Sequence, residues 1–107
     1  MTKPDKKSDA ELFALVELSI KESNYVFLYH ARTRLLERFI SDVIVLNILE
    51  NKPGFFRKRN KLKDKFEEGR SEWNYCIEGQ NLEKERIRII ISFKNKIMPI
   101  ITVMWIG

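Results

Sequence analysis

The closing third of the chain alternates in polarity, and that pattern constrains the fold more than any other feature. Trp73, Tyr75 and Ile77 alternate with Asn74, Cys76 and Glu78. Arg86, Arg88, Ile90 and Ser92 alternate with Ile87, Ile89, Ile91 and Phe93, and Ile100, Thr102 and Met104 with Ile101, Val103 and Trp105. A period of two is the side-chain period of a strand, so each segment predicts a strand with two unlike faces. Gly79 to Lys84 and Asn95-Lys96 supply the turns. A three-stranded antiparallel meander follows, and the rest of the chain has to cover one of its faces.

The first half provides that cover. Met1 to Ser8 carries Lys3, Asp5, Lys6 and Lys7 around Pro4 with nothing apolar after Met1, which predicts a loose, solvated start. Ser8 or Asp9 can cap a helix over Asp9 to Lys21, with Glu11 in its first turn and Leu12, Phe13, Leu15, Val16, Leu18 and Ile20 as an apolar stripe. Tyr25 to Tyr29 reads as a short strand or an extended linker. His30 to Arg38 suits a helix with Ala31, Leu35 and Phe39 inward and Arg32, Arg34 and Arg38 around them. Ser41 or Asp42 caps another helix, Val43 to Glu50, which Lys52-Pro53-Gly54 ends. Phe55 to Ser71 is basic and lacks sustained periodicity, so a mobile loop or a ragged hairpin arm is expected. The order α-β-α-α-β-β-β describes an α+β domain, N-terminal helices packed on a small antiparallel sheet.

At 107 residues, 44% apolar and 33% charged, the chain is too hydrophobic for disorder and holds one domain. The single Cys76 cannot form an internal disulfide, no secretory leader pattern is visible, and no apolar run approaches the ~20 residues of a membrane span. A cytosolic protein without a membrane segment is expected. Twenty Lys and Arg against fifteen Asp and Glu leave +5. From Lys52 to Lys65, Lys52, Arg57, Lys58, Arg59, Lys61, Lys63 and Lys65 stand against Asp64 alone, seven positive charges less one. Such clustering attracts polyanions, nucleic acid first and an acidic protein second.

The phrase His30-Ala31-Arg32-Thr33-Arg34-Leu35-Leu36-Glu37-Arg38-Phe39-Ile40-Ser41, followed by Val45 and by Ile48-Leu49-Glu50-Asn51, resembles the signature of the bacterial domain family DUF 4258. Tyr75 to Leu82, Arg86 to Ile91 and Ile100-Ile101-Thr102-Val103 are similar to that family's closing strands. The resemblance covers Val26 to Trp105 and leaves the helix over 9–21 as an addition. Phe39 stands where the family usually has Gly, and Ile44 where an acid is common. The resemblance implies a fold related to the RelE, HigB and MqsR type of bacterial toxin, several of which are metal-independent ribonucleases. It also implies RNA, translated mRNA in particular, and a cognate antitoxin protein as partners.

Metal-free RNA cleavage needs a base for the 2′-hydroxyl, a cation for the phosphate and an acid for the leaving 5′-oxygen. Histidine is the residue type that titrates near neutrality, and His30 is the only one. Arg34 and Arg38 follow it at one-turn intervals, while Arg86, Arg88 and Ser92 share a strand face with Thr102 on a neighbour. His30, Arg34 and Arg88 are therefore the candidate catalytic set. Arg32, Arg38, Arg57, Lys58, Arg59, Lys61, Arg86 and Thr102 are candidates for holding RNA, the basic run beside Phe55 and Phe56 being of the kind that tracks single strands.

Each has a plainer reading: His30 as a cap or packing residue, Arg34 and Arg38 paired with Glu37, Asp42 or Glu50, Arg86 and Arg88 as the wet face of a sheet, Lys52 to Lys65 as a solvated loop. Trp73, Tyr75 and Trp105 read as core. One His and one Cys cannot build a zinc site within a monomer and no Gly-rich phosphate loop exists, so neither metal nor cofactor is expected. Two functions stay open, a toxin-like endoribonuclease and a non-enzymatic antitoxin-like or adaptor module of the same fold.

Overall fold

The computed structural model describes residues 3–107, so the first two residues of the expected loose start lie outside it. The first helix, α1, spans Asp9–Lys21. A reciprocal capping box fixes its start: the Glu11 N–H donates to Ser8 Oγ (3.2 Å) and the Ser8 N–H to the Glu11 carboxylate (3.0 Å). Those hydrogen bonds from Ser8 hold the Glu11 carboxyl below its usual range. Leu12, Val16 and Ser19 form the buried stripe. The helices α2, Tyr29–Arg38, and α3, Asp42–Leu49, meet at a tight corner. Phe39 turns it in the left-handed region (φ 54, ψ 44), and the Ser41 hydroxyl caps α3 by accepting the Val43 N–H at 3.2 Å.

Five strands make one sheet: β1 Tyr25–Phe27, β2 Phe56–Arg59, β3 Tyr75–Gln80, β4 Arg86–Ile91 and β5 Met98–Ile106. Their order is β1-β5-β4-β3-β2, antiparallel except where β1 runs parallel to β5. The expected meander is the centre of this sheet, the short strand allowed for between Tyr25 and Tyr29 forms one edge as β1, and β2 is added at the other. Tyr25–Phe27 is too short to show a period and becomes a strand by pairing with Met98–Ile100. Within Phe55 to Ser71, expected as a mobile loop or a ragged hairpin arm, β2 pairs antiparallel with β3 and alternates as Phe56 and Lys58 on one face against Arg57 and Arg59 on the other. An inward row of arginines does not read as a core face, which is why the sequence alone does not decide between a strand and a loop here. A short 3-10 helix, Lys61–Lys63, follows it.

Among the described residues, the three α-helices all lie against one face. There Tyr75 and Ile77, Ile87, Ile89 and Ile91, and Met98, Ile100 and Val103 meet Leu12, Val16, Ala31, Leu35, Val45, Ile48 and Leu49 in one core. The strict alternation read into Ile100 to Trp105 is broken. Ile90 pairs Thr102 while Ile91 pairs Ile100, so Ile101 bulges out and Ile100 joins Val103 on the buried face.

The described part of the N-terminus is also not loose. The Trp73 indole N–H donates to the Pro4 carbonyl (2.7 Å), the Lys7 N–H to Tyr75 Oη (3.1 Å), and the Lys7 ammonium pairs with Glu72 at 3.1 Å. Among the described residues no helix is long and apolar enough to cross a membrane.

Candidate nucleic-acid interface

The sheet's other face is the candidate surface, and its chemistry follows from register. Lys58, Glu78, Arg88 and Met104 stand side by side on four adjacent strands, and Phe56, Gln80, Arg86 and Ile106 form the next row. A third row joins Cys76, Ile90 and Thr102. Arg86 is exposed and Arg88, Thr102 and Met104 are half-exposed, so this face is open in part to solvent.

Glu78 organises the centre, with its side chain only 6% exposed. Its Oε2 accepts from Asn60 Nδ2 (2.9 Å) and Arg88 Nε (3.0 Å), and its Oε1 lies 3.6 Å from an Arg86 guanidinium nitrogen. Burial pushes this carboxyl up, but the Asn60 and Arg88 hydrogen bonds and the two guanidiniums outweigh it and hold the pKa below its usual range. Glu78 is therefore an anion that neutralises one of two arginines and fixes the direction of both. A groove of about 580 Å³ opens beside it, lined by Phe56, Lys58, Glu78, Gln80 and Arg86 among others. Burial, and then the Glu78 charge, push the neighbouring Cys76 thiol up to about 11, so it is no thiolate nucleophile near neutral pH.

His30 sits in the first turn of α2 and is exposed. Helical geometry puts Arg34 and Arg38 on its flank, the far one ~12 Å along the axis. The row runs beside β5: Leu28 N–H donates to the Ile100 carbonyl at 3.0 Å, and an Arg38 guanidinium nitrogen to that of Val103 at 3.4 Å. Trp105 Nε1 anchors the end of α2 through the Arg38 carbonyl (2.8 Å). Arg38 thus reaches β5 from the helix-covered side, whereas Arg88 stands on the open face of β4 with Met104 as its cross-strand neighbour. Neither arginine row is free of carboxylates, since Arg34 pairs with Glu37 at 3.1 Å and Arg88 with Glu78.

Three of the expected RNA-holding arginines stand apart from this surface. Arg32 is on the other flank of α2, its guanidinium 5.7 Å from the Phe27 ring centroid. Arg57 turns inward, stacks over Phe13 at 4.2 Å, pairs with Glu17 at 3.1 Å and donates to the Leu49 carbonyl, an acceptor left over at the end of α3. The Arg59 side chain is 1% exposed and donates through Nε and Nη2 to one Asp64 oxygen (3.1 and 2.9 Å), and through Nη1 to the Lys7 carbonyl (2.6 Å) and to Asp9 (3.0 Å). Both are structural cations, because acids from distant parts of the chain use their donors. Lys58 and Lys61 remain exposed, Lys61 within 3.5 Å of Asp9.

Sequence reasoning missed Glu78, Asn60 and Gln80. A signal existed for the first. Glu78 is the lone acid in its alternating segment, and pairing that segment with Arg86 to Phe93 across the intervening turn brings it opposite a basic residue.

Fold and surface together define an α+β domain: three helices cover one face of a mostly antiparallel sheet, and a partly neutralised cationic surface occupies the other. The chain belongs to the family described as a domain of unknown function, DUF4258, which matches residues 27–105. No curated protein and no solved structure matches it. Among the described residues no three His, Cys, Asp or Glu side chains gather as a metal ion would require.

Proposed function

We propose that this domain binds RNA along the open sheet face and the adjoining flank of α2, and cleaves it without a metal, as a toxin-like endoribonuclease of the RelE, HigB and MqsR kind. In this reading the 2′-oxygen attacks the adjacent phosphorus, the P–O5′ bond breaks, and a 2′,3′-cyclic phosphate and a 5′-hydroxyl result. His30 moves one proton, either from the 2′-hydroxyl or to the leaving oxygen, and water moves the other. Arg34, Arg38 and Arg88 carry the charge that builds on the phosphate. Lys58, Arg86 and Thr102 extend the track, and Lys58 and Lys61 offer contacts to an acidic segment of a cognate antitoxin. The observation that carries the reading is an exposed imidazole on the same helix flank as two guanidiniums, beside the strand whose other neighbour holds Arg88.

The test is cleavage of a single-stranded RNA in EDTA by wild type and His30→Ala, with binding followed in parallel. Cleavage should vanish in the variant while binding persists. Lys58→Ala should flatten the salt dependence of binding by about 0.7 in log–log slope, the share of one phosphate contact on a single strand. No cleavage by wild type overturns the enzyme. A second reading, the non-enzymatic module, draws on the Glu37 and Glu78 carboxylates that already occupy Arg34, Arg86 and Arg88. Salt-sensitive binding without cleavage supports it.

A further inference from the structure

The corner between α2 and α3 presents an apolar patch with no partner among the described residues. Tyr29, Leu36 and Phe39 are 86%, 79% and 93% exposed, and Val43 is exposed beside them. Tyr29, Arg32 and Leu36 recur at i, i+3 and i+7, so they share a flank of α2, and Phe39 and Val43 carry the stripe around the corner. Phe39 is the unusual member. Its backbone occupies the left-handed region that closes a helix, where glycine fits without strain, and its ring projects into water. Strained backbone and an uncovered aromatic at one residue point to a contact outside the monomer.

Beside that ring lies a groove of about 340 Å³ between α2 and α3, lined by Arg32, Leu35, Leu36, Ile40, Ser41 and Asp42. The patch therefore contains a projecting ring, a recess next to it, one cation and one anion. A second copy related by a two-fold rotation can supply the complement of each of these features from the same surface, recess for ring and anion for cation. We propose that this patch is the interface of a symmetric homodimer, with Phe39 of each copy seated in the α2–α3 groove of the other and Arg32 facing Asp42 across the axis. Tyr29 and Phe39, at ~150–250 Å² each, with Leu36 and Val43 bring the apolar centre to ~500 Å², and the polar rim extends it toward the ~800 Å² per copy of an ordinary stable interface. His30, Arg34 and Arg88 take no part, so the dimer stands independently of any reaction on RNA.

Sedimentation velocity on the full chain between about 1 and 100 μM tests this, since interfaces of ordinary size dissociate in the micromolar range or below. Wild type should sediment at twice the chain mass. Phe39→Gly should raise the dimer dissociation constant at least ~10-fold, as loss of a central aromatic anchor does, while the thermal midpoint of the monomer holds or rises, because glycine suits that backbone. Arg32→Asp and Asp42→Arg should each be monomeric alone and associate when mixed one to one, since the mixed pair restores both opposite-charge contacts. A wild type that stays monomeric, a dimer indifferent to Phe39→Gly, or charge variants that fail to recombine would overturn the proposal.

Discussion

Replacing Asp64 by alanine removes the acceptor on which the inward arginine depends. Asp64 and Arg59 have side chains 0% and 1% exposed, and Asp64 also accepts the Cys76 N–H at 2.9 Å. Deleting one partner of a buried pair leaves an unbalanced charge, a loss of ~3–5 kcal/mol, and a stranded backbone donor adds ~1–3 kcal/mol. Arg59 keeps the Lys7 carbonyl and the Asp9 carboxylate, which offsets part of that. The expected net cost is ~4 kcal/mol. With a urea m-value of ~2 kcal/mol/M, the unfolding midpoint should fall by ~2 M. Arg59→Met combined with Asp64→Ala should recover more than half of the loss, because no unpaired charge stays inside. Lys61→Ala, which touches only the exposed side of Asp9, should move the midpoint by less than ~0.3 M. A drop below ~0.5 M for Asp64→Ala, or a double variant no more stable than the single one, would refute the claim that Arg59 is a desolvated structural cation.

Two further outcomes follow from packing and burial. A Cβ at Gly79 would overlap Ile48 Cγ2 and lie 2.5 Å from the Phe56 carbonyl oxygen. Gly79→Ala should therefore cost ~1–3 kcal/mol and lower the thermal midpoint by ~10 °C, whereas an unchanged melting curve would show that α3 does not press on β3 there. The Cys76 thiol, at about 11 in the fold against 9.0 for a free thiol, should alkylate at pH 8 about 100-fold more slowly in the native chain than in urea, where it is exposed. The raised value means that folding favours the protonated thiol, so this contribution is complete below pH 9 and lost as pH rises through about 11. Native and unfolded rates within fivefold of each other would contradict that burial.

Elements that carry their own evidence were legible. Ser8 and Glu11 at capping-box spacing, ahead of Leu12 and Val16, fix α1 at the residues read from the sequence. The period-two runs give β3, β4 and β5 because each side chain there reports its own face. What stayed hidden depends on a partner. Tyr25 to Tyr29 reads equally as a strand or a linker until pairing with Met98–Ile100 decides for the strand, and the bulge at Ile101 is a mismatch between two strands rather than a property of either. The candidate surface divides in the same way. His30, Arg34 and Arg38 share a flank by helical arithmetic, while the Glu78 carboxylate among Asn60, Arg86 and Arg88 arises from cross-strand register.

By itself the sequence determined the helix starts, the three central strands and the sign of the charge between Lys52 and Lys65, because propensity, periodicity and summed charge act over a few neighbouring residues. Tertiary structure alone decided which of those charges face water. Arg57 and Arg59 lie among the cations of the run yet are drawn inside by Glu17 and Asp9, forty and fifty residues away, and by Asp64, while Lys58 between them points out. The physical reason is that a charge's worth to a ligand depends on its solvation and its nearest counter-ion, and both are set by parts of the chain that meet only on folding.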